Sequence, residues 1–138
     1  MNVAILIIAH KKAAVALLES AEMICGKQNN VKAVSFLENE DGAALKEKCI
    51  LAMSKLDMQD GGLILTDLFG GTPFNTAYML CAENEKVEVL SGLSLPMLME
   101  VFMSRDSMDV KQLLEQAKIA GIEGIQSARY KDLGELDE

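Results

Sequence analysis

Two rhythms of apolar and polar positions alternate along the chain. Val3 to Ala9 is apolar throughout and rich in β-branched residues, which predicts a strand buried on both faces. A helix is predicted from Lys11 to Cys25, where Leu17, Leu18, Ala21, Ile24 and Cys25 form one apolar stripe and Gly26 supplies a stop. Val31 to Leu37 alternates more and reads as a second strand, nearer an edge. Asp41 can cap a helix running to about Leu56, with Ala44, Leu45, Cys49 and Met53 inward. Gly61-Gly62 open a third strand, Leu63 to Thr66, and Asp67 to Gly71 reads as a loop. Thr72 as N-cap with Pro73 at the first helical position predicts a helix to about Cys81.

Val87 to Leu90 is the fourth predicted strand. Ser94 and Pro96 open a helix to about Met103. Asp109 begins the last one, with Val110, Leu113, Leu114, Ala117 and Ala120 on one face and Gly121 and Gly124 around its end. Ile125 to Tyr130 reads as a short final strand, and the acidic stretch Asp132 to Glu138 as a frayed tail. This β-α-β-α order predicts an α/β fold: an open, doubly wound, mainly parallel sheet of four parallel strands with helices on both faces. At 138 residues the chain fits a single domain, placed at 1–131.

Composition narrows the function classes. A net charge of −8 argues against nucleic acid or an anionic membrane as the main partner. The longest apolar run is far short of the roughly 20 residues of a membrane-spanning helix. Lys11 and Lys12 follow that run instead of preceding it, unlike a signal peptide. Cys25, Cys49 and Cys81 form no metal-ligand spacing and read as reduced thiols of a cytoplasmic protein, packed as small hydrophobes. The nine methionines read mainly as core filling.

The chemistry is expected where open parallel sheets hold ligands, at the carboxyl ends of the strands. The first strand ends at His10, the only histidine, and the third at Asp67. These strands are adjacent in common doubly wound orders, which puts the two side chains beside each other. A carboxylate on one imidazole nitrogen fixes tautomer and orientation and leaves the other nitrogen as a nucleophile. A phosphoryl group there would carry nearly two negative charges and need donors. The helix opening at Thr72 offers free N–H groups and a positive dipole end, and Gly70-Gly71 allow close backbone approach. Each residue also has a structural reading: a packed histidine, a turn aspartate, a capping threonine, a tight glycine turn. Convergence on one edge is what favours phosphoryl chemistry. Lys11 and Lys12 lie at a predicted helix N-terminus, where an anion would offset their charge or water would solvate it.

These residues resemble the IIA component of the mannose family of the bacterial sugar phosphotransferase system, from about Val3 to Gly124. Asp67-Leu-Phe-Gly-Gly-Thr-Pro-Phe-Asn75 is close to the family's D-x-x-G-G-[ST]-P-x-N stretch. The apolar strand ending in His10 and Gly92-Leu-Ser-Leu-Pro-Met-Leu98, similar to G-x-N-x-P-M-L, are the other two elements. The resemblance implies that His10 accepts a phosphoryl group on its ε nitrogen from the phosphocarrier protein HPr. It passes the group to a IIB component, expected on a separate chain, that serves a membrane sugar permease. Asp67 would hold the δ nitrogen, and Thr72 with Gly71 would bind phosphoryl oxygens. No cofactor or metal is implied. The family's homodimer, with an exchanged antiparallel strand, would use Ile125 to Tyr130. Ala9 and Lys11 depart from the hydroxyl residue and glycine usual beside that histidine, and Ser94 stands where Asn is frequent.

Two other classes stay open on the residues. A receiver-like domain would be phosphorylated on Asp67, but would want an acidic first-strand end where Ala9-His10 stands. A flavodoxin-like binding module would want a hydroxyl-rich phosphate loop after the first strand and stacking aromatics at the sheet edge, whereas a regulatory protein reporting sugar status through contacts is compatible with the phosphoryl reading.

Overall fold

Strands and helices alternate as the apolar pattern predicts. The computed structural model describes residues 1–130. Their order is β1 (Ala4–His10), α1 (Ala13–Cys25), β2 (Val31–Phe36), α2 (Gly42–Met53), β3 (Gly62–Thr66), α3 (Thr72–Glu83), β4 (Val87–Leu90), α4 (Leu95–Ser104) and α5 (Val110–Glu123). A 3-10 turn, Arg105–Ser107, joins the last two helices. The expected acidic tail, Asp132 to Glu138, lies outside the described residues. The four strands form one parallel sheet in the order β2-β1-β3-β4.

The sheet is buried on both faces, which is why β1 and β3 are continuously apolar. Ile5, Ile7, Leu63 and Leu65 pack against Ala14 and Ala21 of α1, Leu98 and Val101 of α4, and Leu113 and Ala117 of α5. Leu6, Ile8 and Ile64 point the other way, onto Leu45 and Cys49 of α2 and Ala77 and Leu80 of α3. β2 is an edge strand, as its alternation predicts.

Several local readings are corrected. α1 begins at Ala13 because Lys11 sits at φ +51, outside the helical region, with its N–H on the Phe36 carbonyl at 2.9 Å. Ile24 is exposed: the inward line of α1 runs through Ala14, Leu18, Ala21 and Cys25, and Ile24 lies at its margin. Helix α2 stops at Met53 rather than Leu56, where Ser54 and Leu56 close turns onto Ile50 and Met53. The N-cap of α3 is Gly71, not Thr72. Gly71 carries the extended ψ of 178° that an N-cap needs, and Pro73 is accepted one position further in, where its missing N–H is equally unneeded. Of the nine methionines only Met97 is buried, while Met1, Met23, Met79 and Met103 are exposed on outer faces. The expected final strand, Ile125 to Tyr130, is a separate matter, since an exchanged strand pairs with a second copy; in the single chain residues 125–129 take no regular secondary structure.

Arg105 is a buried cation that the sequence pattern does not announce. It is 3% exposed, and its guanidinium fans onto the Val3, Asn29 and Asn30 carbonyls and the Gln28 and Asn29 side chains. It thereby ties the α4–α5 connection to the loop that feeds β2.

Candidate functional site

β1 passes to β2 on one side and, after α2, the chain returns to β3 on the other. The sheet's topological switch therefore lies at β1 and β3, and open parallel sheets hold their ligands at the carboxyl ends of such strands. Ile8 is in register with Thr66, so His10, two residues further out, and Asp67, one residue further out, reach the same edge. Asp67 Oδ2 lies 2.9 Å from His10 Nδ1 and accepts the His10 backbone N–H at 3.0 Å. Its Oδ1 accepts the Leu68 N–H at 3.0 Å. With Nδ1 donating to Asp67, the ring presents Nε2 as an acceptor and nucleophile. The imidazole is 44% exposed and the carboxylate 21%.

Partial burial pushes the Asp67 carboxyl up. The His10 backbone N–H, the imidazole and its charge, and Asp67's own N–H outweigh that, and hold it below its ordinary value of 3.8. Asp67 is thus a carboxylate at neutral pH and stabilises positive charge arising on the ring.

Gly70 and Gly71 bring backbone to the imidazole. Gly70 takes φ +82, the left-handed turn that glycine permits. A Cβ on Gly71 would lie 3.6 Å from His10 Cε1, so the first turn of α3 begins beside the ring. No side chain caps that turn, and the Gly71, Thr72 and Phe74 N–H groups have no partner inside the helix. The α3 dipole adds partial positive charge there. Thr72 is the first residue of α3; its methyl lies 3.9 Å from the position a Cβ would take on Gly42, at the start of α2. The structure thus brings His10, Asp67 and Gly71 together, with Thr72 one residue on.

Contacts around the ring go beyond the sequence reading, which assigned Phe36 and Glu38 no part in the site. Phe36 is in register with His10 and meets its ring edge-on, with centroids 5.7 Å apart and planes at 76°. Leu68 and Phe69 stand exposed beside the site, with Phe69 against Phe74 at 4.7 Å. Lys11 forms an ion pair with Glu38. The end of the second strand was the one signal available, since in a parallel sheet it reaches the same edge. The receiver-like reading loses ground, because Asp67 Oδ2 is taken up by His10 and β1 ends in an imidazole. Among the described residues no cluster of three His, Cys, Asp or Glu side chains could hold a metal ion.

The chain is similar to proteins of known class. The family model described as PTS system fructose IIA component matches residues 4–118. The PTS system mannose-specific EIIAB component of Escherichia coli K12 is 39% identical over 132 residues, covering 95% of this chain. The chain spans 41% of that relative's length. The PTS system fructose-specific EIIA component of Bacillus subtilis 168 is 35% identical over 116 residues, covering 84% of this chain and 80% of that protein. Among solved structures, the mannose/sorbose specific IIA subunit from Enterococcus faecalis superposes with a TM-score of 0.87 at 26% identity, over 99% and 100% of the two chains. The EIIA component from Streptococcus agalactiae gives 0.83 at 33% identity, over 91% and 96%.

Proposed function

Since the chain belongs to the IIA family of the bacterial sugar phosphotransferase system, and so to its phosphotransferase components, we propose that His10 is its phosphoryl-carrying residue. The observation that carries this reading is the 2.9 Å contact of Nδ1 with Asp67, which directs Nε2 outward beside Gly71. The Nε2 lone pair attacks the phosphorus of the phosphorylated donor, HPr. The donor's N–P bond breaks and its electron pair returns to the donor nitrogen. The new N–P bond leaves positive charge on the ring while Nδ1 keeps its proton, and Asp67 balances that charge. The α3 N–H groups and the Thr72 hydroxyl bind the phosphoryl oxygens. The reverse chemistry then passes the group to a IIB unit of a sugar uptake system.

The half-exposed ring suits transfer between proteins, since a donor must reach Nε2 directly. Exposed Leu68 and Phe69 offer apolar contact beside it. No helix among the described residues is long and apolar enough to cross a membrane. Residues 1–131 form the carrier domain, placed in the cytoplasm where donor and acceptor meet. Ile125 to Tyr130 is its candidate exchanged strand in a homodimer; light scattering on protein truncated before Ile125 should then lose the dimer.

The test is incubation with phosphorylated HPr. Wild type should gain an acid-labile, base-stable phosphoramidate and His10→Ala none. Phosphorylation of His10→Ala, or a base-labile acyl phosphate on wild type, overturns the assignment.

A further inference from the structure

Lys11 follows the site histidine directly and holds the left-handed backbone conformation at φ +51, which disfavours a residue with a Cβ. Its N–H is pinned to the Phe36 carbonyl at 2.9 Å, so the turn is imposed by pairing with β2. The ammonium meets Glu38, two residues beyond the phenylalanine that packs on the His10 ring. Both side chains are largely exposed, at 67% and 76%, so the ion pair is loosely held and open to exchange. His10 thus has a carboxylate fixed on its Nδ1, while the residue after it carries an exposed cation paired to a carboxylate just beyond β2.

Phosphorylation changes that balance. A phosphoryl group on Nε2 brings nearly two negative charges to an edge that already holds Asp67 and Glu38, in a chain of net charge −8. An ammonium is drawn more strongly to such a group than to a single carboxylate. We infer that Lys11 is the charge-compensating residue of the phosphorylated state: its ammonium leaves Glu38 and pairs with the phosphoryl oxygens on His10. Glu38 is the competing holder that keeps the cation in reserve. Only ion pairs exchange; no covalent bond is made or broken in this step. This rests on the phosphoryl-carrier reading of His10 and adds a residue to it.

The test uses the full chain as wild type, Lys11→Gln, Lys11→Gly and Glu38→Gln. Each is phosphorylated in two ways: by phosphorylated HPr, and chemically by phosphoramidate, which needs no partner protein. Two quantities are read: the equilibrium with the HPr donor, and the titration midpoint of the phosphoryl group by phosphorus NMR. The charged groups at this edge include Asp67, Glu38, Lys11 and Lys12, with Glu40 and Lys48 paired at the end of β2 and Asp41 capping α2. Losing the ammonium should lower the transfer equilibrium roughly threefold to tenfold and raise the midpoint by about half a unit. Glu38→Gln should move both the opposite way. Lys11→Gly should match Lys11→Gln in both, although only the glycine relieves the left-handed turn. Identical midpoints and equilibria across the four proteins overturn the role of Lys11 and leave the carrier reading intact. A wild type that HPr cannot phosphorylate, but whose chemically made phosphohistidine titrates differently from Lys11→Gln, overturns the carrier reading and upholds Lys11.

Discussion

One oxygen of Asp67 serves His10 twice, accepting its backbone N–H at 3.0 Å and meeting Nδ1 at 2.9 Å. The same atom therefore fixes the end of β1 and the tautomer of the ring. Asp67→Asn keeps an acceptor but loses the charge that balances a cationic ring. It should slow phosphoryl transfer by roughly 10² or more, while stability falls by about 1 kcal/mol. Stopped-flow transfer from the phosphorylated donor, set beside urea unfolding, separates the two effects.

Acid should expose the same contact. Asp67 has a lowered folded pKa, so its contribution is complete above the unfolded value of 3.8 and is lost as pH falls through the folded value. Glu40 behaves alike, held down first by the Leu37 N–H and then by Lys48. The urea midpoint of wild type should exceed that of Asp67→Asn at pH 6, and the gap should close below about pH 3.8. A gap that persists at the lowest pH contradicts the ion pair.

Two glycines of nearly equal φ should respond differently to alanine. Gly61 is at φ +84 and a Cβ there would sit 2.6 Å from the Lys86 carbonyl, a backbone atom that cannot turn away. Gly70 is at φ +82 with open space around it. Gly61→Ala should lose about 3 kcal/mol or more, and Gly70→Ala about 1 kcal/mol. Equal losses in denaturant titrations would show that conformation alone sets the penalty.

Arg105 should be the costliest single cation to remove. Arg105→Met leaves the Val3, Asn29 and Asn30 carbonyls short of donors and should destabilise by about 3 kcal/mol. Arg105→Lys should recover only part, since an ammonium cannot span the same fan of acceptors. Thermal unfolding of the three proteins decides it.

Gly71→Ala probes the approach to the ring. Its φ of −82° suits alanine, and the added methyl would touch His10 Cε1 at an ordinary 3.6 Å. Stability should change by under about 1 kcal/mol, while transfer slows roughly tenfold as the methyl crowds the phosphoryl oxygens. An unchanged rate removes Gly71 from the site.

The sheet was legible because β1 and β3 are buried on both faces, and double burial writes itself as an unbroken apolar run. The meeting of His10 and Asp67 was legible too, since parallel strands in a doubly wound order carry their ends to one edge. Features set by pairing across the sheet were not. The left-handed turn at Lys11 comes from its bond to Phe36, and the edge-on ring contact from register. Thr72 and Gly71 are both acceptable N-caps, and only the backbone decides between them. The burial of Arg105 has no mark in the apolar pattern, because its partners Gln28 and Asn29 lie in a loop more than seventy residues away in the chain.

Lastly, the two halves of the site are separated by 57 residues and joined only when β3 docks against the far side of β1. A ribosome making this chain releases the imidazole first and its carboxylate much later. Until then the histidine is an ordinary solvated ring with no fixed tautomer. On the proposed role of His10, competence for transfer then reports completed assembly: a product stopped before β3 keeps the imidazole but lacks the carboxylate that orients it. Unfinished copies would not draw phosphoryl groups away from finished ones.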